Sequence, residues 1–203
     1  MAAIAAVHSL IYQAGSLVLL ISPSERQSGE NFKRCTGIMT ELGWPMPAKQ
    51  QTALTLTLQN GSRLIALPGS ETTVRGYSAV SLLILDEAAR VSPELIVATR
   101  PMIAVSGGRF LALSTPNGAL GWFWEAWTSR EPYERFKVKA TQCPRIPADF
   151  LESEKRALGF WVWSQEYQCE FVNADSAAFD SDAVRRAVDP SILPLGALSS
   201  SWI

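Results

Sequence analysis

Three stretches of the chain run apolar almost without a break over strand length: Leu17-Val-Leu-Leu-Ile21, Ser81-Leu-Leu-Ile-Leu85 and Arg109-Phe-Leu-Ala-Leu113. Such runs suit strands covered on both faces. A different rhythm fills the gaps between them. Ala2 to Tyr12 is alanine-rich, with Ile4, Val7, Leu10 and Ile11 on one helical face, and Gly15 closes it. Ser24 is placed to cap a helix reaching about Leu42, and Ser92-Pro93 opens another, with serine as cap and proline in the first turn. Residues 52–67 read as a hairpin: Leu54, Leu56 and Leu58 alternate with threonines, Asn60-Gly61 makes the turn, and Leu64, Ile65 and Leu67 return.

Beyond the third apolar run, Gly121 to Trp127 is helical and aromatic. Phe136, Val138 and Ala140 alternate with Lys137 and Lys139, which predicts a strand with one wet face. Pro147 starts a helix through Leu158, Phe160 to Cys169 forms another, and a short helix is expected near Asp182 to Val188. Apolar strands separated by helices predict an α/β fold, a mainly parallel sheet with helices on both faces. Chemistry in such sheets gathers at the carboxyl ends of the strands, where Asp86-Glu87 and Ser114-Thr115 both fall.

Composition narrows the choice of function. The 203 residues are 47% hydrophobic and 18% charged, with a formal net charge of −1, so a broadly basic surface that grips nucleic acid by charge alone is absent. Cys35, Cys143 and Cys169 lie far apart and His8 is the one histidine, which argues against a disulfide framework or a zinc site. No apolar run approaches the length of a membrane span, and the N-terminus lacks the basic lead of a secretory signal. A cytoplasmic setting is expected.

Asp86-Glu87 after an aliphatic run has the form of a Walker B motif. A buried strand delivers two adjacent carboxylates to the rim, the first able to hold Mg²⁺ and the second to polarise an attacking water. Alone, the same pattern reads equally as a polar strand terminus. Ser114-Thr115-Pro116 ends the next apolar strand, where hydroxyls can sense a γ-phosphate; an ordinary Thr-Pro turn is the plain alternative. Arg75, in the loop before the acidic strand, can neutralise charge on a transferred phosphoryl, although a surface salt bridge is the commoner use of such an arginine. Arg90 faces the same choice and reads as a surface residue. Trp122, Trp124 and Trp127 read as packing onto the sheet, with Trp124 and Trp127 sharing a face, rather than as a base-stacking platform. The basic stretch Arg130, Arg135, Lys137, Lys139 and Arg145 is interleaved with Glu131 and Glu134 and reads as a solvated face.

Taken in order, these blocks resemble phage terminase large subunits. The resemblance is carried by Val74-Arg-Gly-Tyr-Ser-Ala followed by Leu-Leu-Ile-Leu-Asp86-Glu87-Ala-Ala-Arg-Val, and by Leu-Ala-Leu-Ser114-Thr115-Pro-Asn-Gly. Gly121-Trp-Phe-Trp-Glu-Ala-Trp127, Gln165-Glu-Tyr-Gln-Cys-Glu-Phe171 and Leu17 to Ser28 add to it, so that it spans roughly residues 4 to 185. It implies a P-loop NTPase-like fold of the ASCE type and ATP-driven packaging of viral DNA in the cytoplasm of a bacterial host. Asp86 would bind Mg²⁺, Glu87 would be the catalytic carboxylate, Ser114 and Thr115 the coupling motif, and Arg75 an arginine finger acting on a neighbouring subunit. The implied partners are double-stranded DNA, a portal ring, a small terminase subunit and further copies of the chain.

Two departures qualify that implication. No G-x-x-x-x-G-K-[ST] loop occurs in the chain, since Gly15 is the only glycine before Gly29 and Lys33 is the first lysine. In the family that loop precedes the helix with which this chain opens. Its absence predicts weak nucleotide binding, negligible hydrolysis and an exposed central edge of the sheet. Asp175, Asp180, Asp182 and Asp189 tempt a nuclease reading, but too few residues follow them to build that domain. The expected organisation is therefore an ATPase core lacking Walker A at 1–145, a helical lid-like part at 146–174 and a linker at 175–203. A non-catalytic prophage remnant or interaction module, and a fragment of another P-loop nucleic-acid motor, are the alternatives.

Overall fold

A computed structural model describes residues 1–44, 54–69, 74 and 76–172. Arg75, the four aspartates from Asp175 to Asp189 and the short helix expected near Asp182 lie outside the described residues. The elements run α1 (Ala2–Tyr12), β1 (Leu17–Ser22), α2 (Glu25–Glu41), β2 (Thr55–Thr57), β3 (Arg63–Pro68) and β4 (Leu82–Asp86). Then follow α3 (Pro93–Ala104), β5 (Arg109–Leu113), α4 (Gly121–Thr128) and α5 (Ala148–Glu166). The strands form one sheet in the order β2-β3-β1-β4-β5, with β1 central. β3, β1, β4 and β5 are mutually parallel, and β2 alone is antiparallel, paired to β3 through the predicted turn with Gly61 at φ 82°.

Strand pleating sorts the core into two layers. Val18, Leu20, Leu64, Ala66, Leu82 and Ile84 face one way and meet Ala6, Val7 and Leu10 of α1 and Phe32, Cys35 and Met39 of α2. Leu19, Ile21, Ile65, Leu83 and Leu85 face the other way, against Leu95, Ile96 and Met102 of α3. Alternate side chains of one strand thus serve two helical layers, which is why these runs carry no polar interruption. Both caps read from sequence form: Ser24 Oγ accepts from Gln27 N–H and Ser92 Oγ from Leu95 N–H. A break at Gly159, with φ 71° and ψ 168°, divides α5 into two helices as expected, but the second ends at Glu166 rather than at Cys169, whose backbone is left-handed at φ 53°.

Two expectations are corrected. Phe110 to Leu113 are only partly buried, because β5 is the last strand of the sheet and its outer edge has no neighbour among the described residues. No strand forms around Phe136, either. Phe136 is 81% exposed and Val138 67%, while Lys137 and Lys139 both pair with Glu170, at 2.8 and 3.5 Å. The alternation is present with its sense reversed: the lysines reach a carboxylate on the returning chain, and the apolar residues are left outside. Lys137 also holds the Glu170 carboxyl below the ordinary carboxylate range.

Leu20 lies wholly buried in the middle of β1. Leu20→Ala is expected to reduce unfolding free energy by about 2–5 kcal/mol, read from urea denaturation followed by far-UV circular dichroism. Burial likewise pushes the Cys35 thiol up to about 12. Iodoacetamide at pH 8 should therefore modify Cys143 in the native protein and reach Cys35 only after unfolding, which mass spectrometry of the labelled peptides would check.

Candidate nucleotide site at the carboxyl rim of the sheet

β4 and β5 pair in parallel with Asp86 opposite Leu113. The residues that follow, Glu87 on one chain segment and Ser114-Thr115 on the other, leave the sheet side by side at its carboxyl rim. Sequence alone placed each pair at a strand end; the register places them at the same end of adjacent strands.

The pleat also assigns Asp86 its surroundings. It continues the face of Leu82 and Ile84, the α2 side, and there Asn31 Nδ2 donates to Asp86 Oδ2 at 2.6 Å and to Ser22 Oγ at 3.1 Å. Asn31 and Ser22 are buried and Asp86 is half-buried. The amide thus ties the ends of β1 and β4 to the middle of α2 and fixes one carboxylate oxygen. Asn31 carried no signal in the sequence, since its meaning depends on a residue 55 positions away.

Glu87 turns the other way. Its backbone sits in the left-handed region at φ 54° and ψ 43°, a conformation costing a non-glycine residue about 1–2 kcal/mol. A single turn of 3-10 helix, Ala88–Arg90, follows at once, and Arg90 N–H donates back to the Glu87 carbonyl at 2.9 Å. That turn brings the Arg90 guanidinium onto the Glu87 side chain: Nη1 lies 2.8 Å from Glu87 Oε2 and 3.3 Å from Thr115 Oγ1, and Nη2 lies 3.0 Å from Glu166 Oε1 of α5. Arg90, read from sequence as a surface residue, is therefore the hub of the rim. Its spacing of three from Glu87 was the available clue, because residues three apart on a helical turn are neighbours.

Ser114 and Thr115 differ in their surroundings. Thr115 accepts from Arg90, whereas the buried Ser114 Oγ finds no hydrogen-bond partner among the described residues. A buried hydroxyl left so is uncommon and suits a missing water, ion or ligand. Ser114 borders a cleft of about 420 Å³ that follows the outer side of β5 and is also lined by Met1 and Ala5 at the start of α1. The first turn of α1 therefore stands at the same rim, with backbone N–H groups that have no intrahelical partner. A second cleft, about 440 Å³, lies at the amino ends of the strands between Gln13-Ser16 and Ser106-Arg109, at the opposite end from the acidic pair.

The C-terminal half of α5 reaches back to this rim as well. Gln165 Oε1 accepts from Gly118 N–H at 2.6 Å, and Phe171 packs between Phe123 and Trp127 of α4 at 6.0 and 6.1 Å. Trp122 meets the sheet, edge-on to Phe110 at 5.8 Å, while Phe123 and Trp127 share the next face. Within the basic stretch, Arg135 is not a solvated charge: it donates to the carbonyls of Ala126, Ser129, Glu131 and Tyr133 and ties off the end of α4. Among the described residues no group of histidine, cysteine and acidic side chains gathers as a metal site, and no helix is long and apolar enough to cross a membrane.

No family model and no curated protein matches the chain. Solved structures do. The large terminase of a thermophilic bacteriophage superposes with a TM-score of 0.73 at 13% identity, over 90% of this chain and 48% of that one. This chain has the fold of a phage large-terminase ATPase domain. The terminase ATPase domain of Thermus phage P74-26, as a point-substituted variant, gives a TM-score of 0.68 at 20% identity over 84% of this chain and 83% of the domain. The thermophilic-phage terminase in its complex with ADP gives 0.71 at 12% identity, over 85% and 44%. The chain thus spans most of an isolated terminase ATPase domain and about half of a whole terminase large subunit.

Asn31→Asp would set a second carboxylate against Asp86 in place of a donor. It is expected to destabilise the protein by about 1–3 kcal/mol at neutral pH, with the deficit shrinking at pH 4.5 as one carboxylate of the pair takes up a proton. Thermal melts of both proteins at the two pH values would check this.

Proposed function

We propose that this chain is the nucleotide-hydrolysing portion of a phage DNA-packaging motor, with its reaction centre at the carboxyl rim between β4 and β5. The observation that carries this reading is the β4–β5 register, which brings an acidic pair and a hydroxyl pair to one place on a fold shared with terminase ATPase domains. The thermophilic-phage terminase was solved with ADP and with ATP-γ-S, and the nucleotide in our reading is ATP.

The oxygen donors at the rim fit magnesium. Asp86 has one carboxylate oxygen engaged by Asn31, and the Ser114 hydroxyl beside the cleft has no partner among the described residues. Oxygen ligands are what Mg²⁺ prefers, with waters completing its shell. When bound, the ion neutralises charge on the phosphates. Asp86 holds it, Glu87 accepts the proton of the attacking water, and Ser114 and Thr115 respond to the γ-phosphate. Arg75 acts on the site of a neighbouring copy. Double-stranded DNA, a portal ring and a small terminase subunit are the partners such a motor serves, in a bacterial cytoplasm.

A grip on the triphosphate is still required, and the chain contains no Walker A loop. The cleft along β5, which reaches the start of α1, leaves room for such a loop. In this reading the 203 residues alone are inert.

Colourimetric phosphate release in Mg-ATP tests the proposal. The chain by itself is expected at buffer background. Protein translated together with the upstream part of its reading frame should turn over ATP, and Glu87→Gln should lower kcat by about 10²–10⁴-fold. Turnover indifferent to Glu87→Gln would refute the assignment. A stop codon directly upstream, with no turnover at any protein concentration, would favour the non-catalytic remnant instead.

A further inference from the structure

We propose that Arg90 is the positioning residue for the Glu87 carboxylate, and that Glu166 on α5 sets where the Arg90 guanidinium stands. The inference rests on the nucleotide-hydrolysing reading above and adds to it the element that orients its base.

The geometry is that of a fork with three tines occupied. One guanidinium nitrogen touches both Glu87 and Thr115, and another touches Glu166. The side chains of Arg90, Glu87 and Glu166 remain 36–37% exposed. Ion pairs this wet contribute about 0–1 kcal/mol each, so stability is a poor reason for assembling them. Orientation is a better one. An arginine fork is planar and rigid, and a carboxylate in contact with it loses the freedom to rotate. Glu87 needs that restraint, because it projects from a left-handed residue just beyond the last strand position, where no strand neighbour fixes its side chain.

Glu166 supplies the other half. Arg90 sits on a turn of three residues that packs against α4, while α5 is anchored to the same rim through Gln165 and Gly118 and reaches the guanidinium itself. Contact with Glu166 therefore defines the guanidinium plane from outside the sheet. A shift of α5 relative to β5 would turn the fork, and Glu87 and Thr115 would be displaced together. The acidic rim, the hydroxyl rim and the helix that follows them in sequence meet at a single side chain.

Two measurements test this. The first uses the purified chain and ¹⁵N spectra of its arginine side chains. Rotation of the Arg90 guanidinium should be slowed relative to Arg26 on α2, and Glu166→Gln should release it. Free rotation in the parent protein would overturn the proposal. The second uses the ATP-hydrolysing protein translated with its upstream residues. Arg90→Gln should lower kcat by on the order of 10²-fold, the scale of a small misplacement of reacting groups, with KM for ATP nearly unchanged. Arg90→Lys should recover only part of the loss. Glu166→Gln should produce a smaller fall in kcat, and the double variant Arg90→Gln/Glu166→Gln should be no slower than Arg90→Gln alone. Additive losses would show that Glu166 does not act through Arg90. If Glu87→Gln abolishes turnover while Arg90→Gln leaves it intact, the role of Arg90 falls and the function stands. If no variant of Glu87 matters, or the extended protein does not turn over, both fall.

Discussion

Parallel pairing of β4 with β5 is the constraint on which the rim depends. A parallel ladder lets two strands end at the same level and on the same side of the sheet, something an antiparallel hairpin cannot do with two carboxyl ends. With Asp86 opposite Leu113, the chain needs only one further residue on each strand to set a carboxylate beside a hydroxyl. Everything outside the sheet then serves to hold that level: α2 through Asn31, the short turn after Glu87 through Arg90, and α5 through Gln165 and Glu166.

The two acidic residues belong to different layers of the protein. Asp86 follows the strand's pleat and looks toward α2, among buried amide and hydroxyl groups. Glu87 leaves the pleat through a left-handed backbone and joins a wetter cluster that includes a cation. One carboxylate is thereby held by a neutral donor and the other by a charged fork. The difference in environment follows from a single change of backbone region between neighbouring residues.

Much of this was legible in the sequence, and the residues that were not share a physical reason. Unbroken aliphatic runs announced the strands because both faces of β1 and β4 are covered, and Ser24 and Ser92 announced their helices because capping is a local affair. The strand ends at Asp86-Glu87 and Ser114-Thr115 were equally plain. Asn31 and Glu166 were opaque, since each acquires meaning from a partner 55 or 76 positions away, and the spacing of Arg90 hinted at Glu87 but not at Thr115 or Glu166. Alternation misled at Phe136-Lys-Val-Lys139, where two lysines found Glu170 and the apolar residues were left exposed. It misled in a milder way at β5, whose apolar run promises two covered faces but says nothing about its edge.

That edge bears on how the protein behaves in a test tube. Among the described residues no strand pairs with the outer side of Phe110-Leu-Ala-Leu113, and that run carries no charged side chain or proline, devices by which sheets usually discourage stray pairing. Concentrated solutions of the chain should accordingly tend toward self-association, and added salt, which leaves backbone hydrogen bonding untouched, should do little to disperse it.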